Sequence, residues 1–338
     1  MKKLLYLALT VLIIACSNNS SNDSNTPIIT ILGDANVSII QNTPYTDAGA
    51  TATDNVDGDV TSSVITSGTV NIYSTGLYII TYSVSNSAGN TSTASRQVTV
   101  IEDDDNPVYL DNNGITIKAK EWSEVGAIGK INSINYIVVD KFMLLEFIKN
   151  GDDVTKLATT KVTNMNLLFY EATNFNQAIE NWDVSNVTSM YSMFWSASVF
   201  NQPIGIWDVS NVTIMNNMFT QAAAFNQDIG NWNVSNVISM RGLFSNASNF
   251  NQALEYWDVS NVDNMNWMFY RATSFNQPLE VWDLRLVNEM YGMFNDAYVY
   301  NQDLSSWDIE NVTLCSHFNK NTPQWTLPKP NFTNCDPN

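Results

Sequence analysis

NWDVSNVTSM, residues 181–190, returns with small changes as IWDVSNVTIM (206–215), NWNVSNVISM (231–240) and YWDVSNVDNM (256–265). Aligning these copies puts Val162, Val187, Val212, Val237, Val262, Val287 and Val312 in one column with a constant step of 25 residues. A period of roughly 20 to 50 residues marks a stacked repeat, because one such unit cannot bury its apolar side without a neighbour. Six full copies occupy 162–311, and a truncated seventh follows.

Within a copy, Val187, Met190, Phe194 and Ala197 recur at spacings of three and four, which predicts one face of a short helix. Phe200, Ile204, Trp207 and Val209 then lead through a loop into a short extended piece. Phe175, Phe200, Phe225, Phe250 and Phe275, with Tyr300 last, form one aromatic column. Trp182, Trp207, Trp232, Trp257, Trp282 and Trp307 form another. Such stripes read as core, each buried ring contributing about 2–3 kcal/mol. The recurring Asn-Gln pairs, from Asn176-Gln177 to Asn301-Gln302, carry donors and acceptors that can bond from copy to copy along the stack.

These residues resemble the BspA-type leucine-rich-repeat surface proteins of bacteria, whose repeats read MFxxAxxFNQxIxxWDVSNVTxM; the likeness runs from residue 115 to about residue 335. It implies an α/β solenoid on a cell surface that attaches to host or environmental macromolecules. The chain departs from the general leucine-rich pattern in having Val187 where an asparagine belongs, with Asn186 one place early. The fifth copy departs again, reading WDLRLV at 282–287, so that Arg285 and Leu286 interrupt the Ser-Asn column.

Outward from the repeats, residues 312–338 read as a closing cap. Cys315 stands in the column of Met165 to Met290, Trp325 in the phenylalanine column, and Pro323, Pro328 and Pro330 stop regular structure. Cys315 and Cys335 form an even pair in an exported chain, open to disulfide formation or to remaining thiols. On the other side, 108–161 do not repeat and sit where a stack needs its first cap. There GITIKAK and INYIVV read as strands, and DKFMLLEFIKNG reads as a helix capped by Asp140 and stopped by Gly151.

Residues 102–107, EDDDNP, are an acidic linker. Before it, 28–101 alternate at period two, with Tyr78, Ile80, Tyr82 and Val84 on one face and Val98 and Val100 on a partner strand. That predicts a β-sandwich. The stretches at 45–61 and 81–100 resemble bacterial immunoglobulin-like modules. Asp47, Asp54, Asp57 and Asp59 are spaced either as calcium ligands or as turn residues. The expected architecture is an all-β immunoglobulin-like sandwich followed by an α/β leucine-rich-repeat-like solenoid with 25-residue repeats.

The chain opens with two lysines, an apolar run from Leu4 to Ala15, and Cys16. The run has the length of a signal-peptide core. Ile13, Ile14, Ala15 and Cys16 resemble a lipoprotein lipobox, which implies cleavage after 1–15 and lipidation of Cys16. An ordinary secretory signal cut near Ala15 is the alternative. The polar stretch up to residue 27 then serves as a flexible linker. The lipid reading implies attachment to the outer membrane, and the resemblance of the repeats implies display at the cell surface.

Thirty-three acidic against 15 basic side chains leave no cationic groove for nucleic acid and disfavour an anionic partner. An active site is a singular feature, whereas the polar groups here recur with the repeat. The single histidine, His317, lies in the cap and reads as a packed or surface residue, so no enzyme is expected. Two sets of residues are candidate ligand contacts. Asp183, Asp208, Asp258, Asp283 and Asp308 form a carboxylate column, in which Asn233 favours a turn role over charge-based capture. Tyr170, Tyr191, Trp195, Trp267, Tyr270 and Tyr291 vary from copy to copy on the outward face. The expected function is adhesion or recognition of an extracellular protein or glycan through many similar contacts. Glycan capture and a passive spacer or envelope coat are the alternatives.

Overall fold

The computed structural model describes residues 23–102 and 105–338, so Cys16 and the signal segment lie outside the described residues. The chain forms two compact units that divide after Glu102.

The first unit pairs two sheets. One has strand order β1(Ile28–Ile31), β3(Ala50–Asp54), β4(Gly58–Asp59); the other runs β2(Asn36–Ile40), β7(Thr91–Ile101), β6(Gly76–Ser85), β5(Ile65–Ser67). The alternation along β6 works as expected, burying Ile80, Tyr82 and Val84 while Leu77 and Ile79 face out. One charge is taken into this core. The Arg96 guanidinium, 2% exposed, pairs with Asp47, and Asp47 also accepts the Tyr82 hydroxyl at 2.7 Å. Burial, and then Asp47, push the Tyr82 phenol up to about 12.

The second unit opens with hairpin β8(Val108–Leu110)–β9(Ile117–Ala119). A sheet of β10(Ile128–Ile131), β11(Ile134–Val138) and β12(Leu157–Ala158) follows, with helix α1(Lys141–Asn150) inserted before β12. The helix ends are where composition puts them. The Asp140 carboxylate accepts from the Met143 amide at 2.9 Å, and Gly151 closes the helix at φ 75°. This cap hands its parallel register to the repeats through a bridge between Ile117 and Trp182.

The repeats themselves correct the expected architecture. The described residues contain one α-helix, α1, and the 25-residue units contain none, so the stack is not an α/β leucine-rich-repeat solenoid. Each unit is a coil of turns, joined to the next by single parallel bridges that run Asn164, Ser189, Ile214, Ser239, Asn264, Glu289, Leu314. Spacings of three and four misled because successive turns share them. Met193 N donates to Met190 O, and Ala197 N to Phe194 O, each closing a three-residue step. The amides between go elsewhere: Met190, Ser192, Phe194 and Ser196 donate to Ile214, Asn216, Met218 and Thr220 of the next coil at 2.8–3.0 Å. This ribbon requires left-handed backbone twice per coil, at Ser192 (φ 50°) and Ser196 (φ 57°) and at their equivalents, which a right-handed helix excludes.

Inside the coils two phenylalanine columns stack rather than one. Consecutive rings of Phe169, Phe194, Phe219, Phe244, Phe269 and Phe294 lie 5.3–5.8 Å apart, and those of the expected column 5.8–6.1 Å apart. Each column tryptophan donates its indole N–H to the carbonyl 28 residues earlier, as Trp207 does to Ile179 at 3.1 Å. The asparagine column bonds in the same sense. Asn201, Asn226, Asn251 and Asn276 each donate an amide to the side-chain oxygen of the asparagine one coil before. At the far end Cys315 and Cys335 are joined by a disulfide, with Phe332 against Phe318.

Candidate functional site

Four of the five carboxylates in the column are spent on backbone. Asp183, Asp208 and Asp258 each accept from the amide two residues on at 3.1 Å, and Asn233 does the same at 3.2 Å. Asp283 holds Arg285 through its amide and guanidinium, a contact that keeps its carboxyl at about 2. Asp308, the last member of the column, is exposed, and among the described residues its carboxylate holds no backbone amide. Asp183 differs in being 2% exposed, with one carboxylate oxygen left without a hydrogen bond.

In the first unit, Asp54 accepts the amides of Val56 and Asp57, Asp57 accepts Ser87, and Asp59 accepts Thr61. Asp54 and Asp57 thus share one turn, Asp47 is committed to Arg96, and each of the four carboxylates is already engaged by protein donors. Among the described residues no three acidic, histidine or cysteine side chains gather as a metal group.

The outward aromatics fall into separate places. Tyr170 and Trp195 meet at 6.0 Å, Tyr191 is exposed beside them in sequence, and Tyr270 carries the Arg271 guanidinium 5.0 Å above its ring. Arg271 in turn pairs with Asp296 at 3.2 Å. Trp267 and Tyr291 belong to a longer row. The Arg241 guanidinium lies 4.7 Å over the Trp267 ring, Trp267 meets Tyr291 edge-on at 5.2 Å, and Tyr291 meets His317 edge-on at 5.5 Å. The Tyr291 hydroxyl and His317 Nδ1 are 2.9 Å apart. Four successive coils each contribute one ring or guanidinium to this row.

Trp267 occupies it at a cost. It sits at φ 55° in the left-handed column, where its neighbours in the adjoining coils are Gly242 and Gly292. A bulky side chain at positive φ is a true outlier and costs about 1–3 kcal/mol. Gly292 is there for room: a Cβ on it would stand 2.9 Å from the indole Cδ1. Arg241, His317 and the two glycines were not legible as site residues. Comparing the left-handed column copy by copy, with its Gly-Trp-Gly run, is the signal that would have found them.

Residues 141–252 and 226–329 match the family described as "Mycoplasma protein of unknown function, DUF285", the BspA-like repeat family, and together these spans exceed half of the chain. The chain belongs to the DUF285 family. Residues 29–100 match the bacterial surface protein Ig-like domain, so this DUF285 chain carries a surface-protein module ahead of its repeats. The repeat resemblance therefore holds at the level of the family, while its leucine-rich geometry does not. No curated protein matches the chain. Among solved structures, the lipoprotein BT2262 from Bacteroides thetaiotaomicron is 23% identical over 33% of this chain, at a TM-score of 0.22. The chain spans 60% of that structure's length, and a likeness of this size carries no argument. No helix among the described residues is long and apolar enough to cross a membrane.

Proposed function

We propose that this DUF285 protein is exported, anchored through a lipid on Cys16 to the bacterial outer membrane, and displayed at the cell surface, where its repeats recognise an extracellular protein or glycan. The surface-protein Ig-like domain supports the location. One observation carries the recognition: Trp267 holds a strained backbone, between two glycines, to present a ring that the core does not need. The same left-handed column is filled elsewhere by Leu167, Ser192, Asn217, Gly242, Gly292 and His317, so the stack's backbone does not call for an indole there. The proposal assigns the chain no catalytic step, since its recurrent polar side chains already serve the coil-to-coil bonds.

The test is a binding screen of the mature chain against arrays of matrix proteins and glycans, with and without calcium. Trp267→Gly is the diagnostic variant, because it removes the ring while relieving the backbone and so leaves a folded protein. Saturable binding that this variant loses is the expected result. A folded wild type that binds nothing turns the assignment to a passive spacer or coat. Incorporation of a labelled fatty acid, abolished by Cys16→Ala, tests the anchor separately.

A further inference from the structure

We infer that the row Arg241, Trp267, Tyr291 and His317 is a binding surface for neutral carbohydrate; this rests on the recognition proposal above and gives it a ligand class. The first ground is a pair of donors without acceptors. Of the chain's four arginines, Arg96, Arg271 and Arg285 are each ion-paired, and among the described residues Arg241 alone has no carboxylate partner. It rests instead on the Trp267 ring. Seven tryptophans donate their indole N–H to a carbonyl, six in the column and Trp325 to Gln302, whereas among the described residues the Trp267 indole N–H, like those of Trp122 and Trp195, meets no acceptor. A guanidinium fork and an indole donor therefore face outward beside half-buried rings.

The second ground is the shape of the offer. Aromatic rings bind an apolar face, and the unused donors flank that face. A pyranose presents this complement, a face of C–H groups bordered by hydroxyl oxygens, whereas an apolar protein patch would desolvate the donors and leave them unpaired. The bridge column flanking the middle of the row carries polar side chains, Ser239, Asn264 and Glu289, and turns apolar at Leu314 beside His317. The Trp267 ring is already held between the Arg241 guanidinium and the Tyr291 ring before a ligand arrives, which lowers the ordering cost of binding.

Charge decides between neutral and acidic sugars. The Glu289 carboxylate stands two residues from Tyr291, held by the amide of Asn264 at 2.6 Å and by that of Asn266. An acidic sugar seated on the row would bring its carboxylate close to this like charge, which repels it. One guanidinium does not offset that repulsion repeated along a polyanion, in a chain with 33 acidic and 15 basic side chains.

The experiment is affinity electrophoresis of the full mature chain through gels holding one soluble polysaccharide each: a β-glucan, a galactomannan, a xylan, and polygalacturonate as the acidic arm. Retardation by at least one neutral polymer is expected, with a loss of about tenfold or more in Trp267→Gly and in Arg241→Gln, and none in Tyr256→Ala, an exposed ring off the row. Unchanged circular dichroism in each variant removes misfolding as a cause. Retardation by polygalacturonate alone overturns the neutral assignment. Absence of retardation by every polysaccharide, with Trp267-dependent capture of a matrix protein in the array, overturns the carbohydrate class and leaves recognition standing. Silence in both assays removes both.

Discussion

Tyr300 shows how a repeat tolerates one misplaced atom. It takes the last phenylalanine place, stacks on Phe275 at 5.8 Å, and buries a hydroxyl that finds no hydrogen-bond partner. Burial drives its phenol well above the ordinary value. Tyr300→Phe removes the unsatisfied oxygen without leaving a cavity, so it is expected to raise stability by about 1–2 kcal/mol in urea unfolding. A loss of stability would mean that the hydroxyl is satisfied in solution. Trp267 poses the opposite case, in which the local rule is broken at a price and the break is paired with matching glycines. The single interruption at Leu286 belongs with neither. Its 56% exposed side chain replaces an asparagine that elsewhere caps the previous coil, as Asn261 does to Ser235 at 2.7 Å, and nothing in the structure explains the change.

At the scale of the element, the disulfide holds the end of the stack. Cys315 is fully buried in the methionine column, and its partner lies 20 residues on. Replacing both cysteines by serine should lower the stability of the repeat unit by about 3 kcal/mol, read as an earlier loss of tryptophan fluorescence on chemical unfolding. Much at this scale was legible beforehand. Period, core columns, α1 with its two caps, and the alternating strands of the first unit all follow from side-chain pattern. The ribbon at 190–197 was not, because residues spaced by three and four mark a helix and a chain of turns equally. Only the positive-φ residues separate the two, and Ser192 and Ser196 are residue types that do not announce that conformation. The carboxylate column was half legible: Asn233 pointed to the turn role that its neighbours adopt. For the outward aromatics, sequence named the rings but could not say which of them meet.

For the whole molecule, the period is a mechanical constant of the chain. Removing 25 residues, Val212 through Asn236, should leave a folded protein with one coil fewer, whereas removing 24 shifts every core side chain out of register. Circular dichroism and the cooperativity of unfolding distinguish the two. Acid acts on many turns together. Asp153 and Asp283 are held at about 2 by hydrogen bonds from Thr155 and Arg285, and Asp54, Asp59, Asp303 and Asp336 are lowered by hydrogen bonds from nearby backbone and side chains. A carboxylate near 3.9 when unfolded and lower when folded stabilises fully above about pH 4. That contribution is lost as pH falls towards about 2, so the melting temperature should drop across this window and stay level above it.

The four ribbon amides of each coil all donate to the coil that follows, so these bonds lie along the direction in which coils stack. Tension applied along that direction strains them lengthwise and in sequence rather than all at once. A stretched molecule would therefore pay out as a ratchet, one coil at a time, each released coil adding about 80–90 Å of slack. A tether built this way absorbs a sudden tug by lengthening in equal steps before its contact gives way, and single-molecule pulling should record that even staircase.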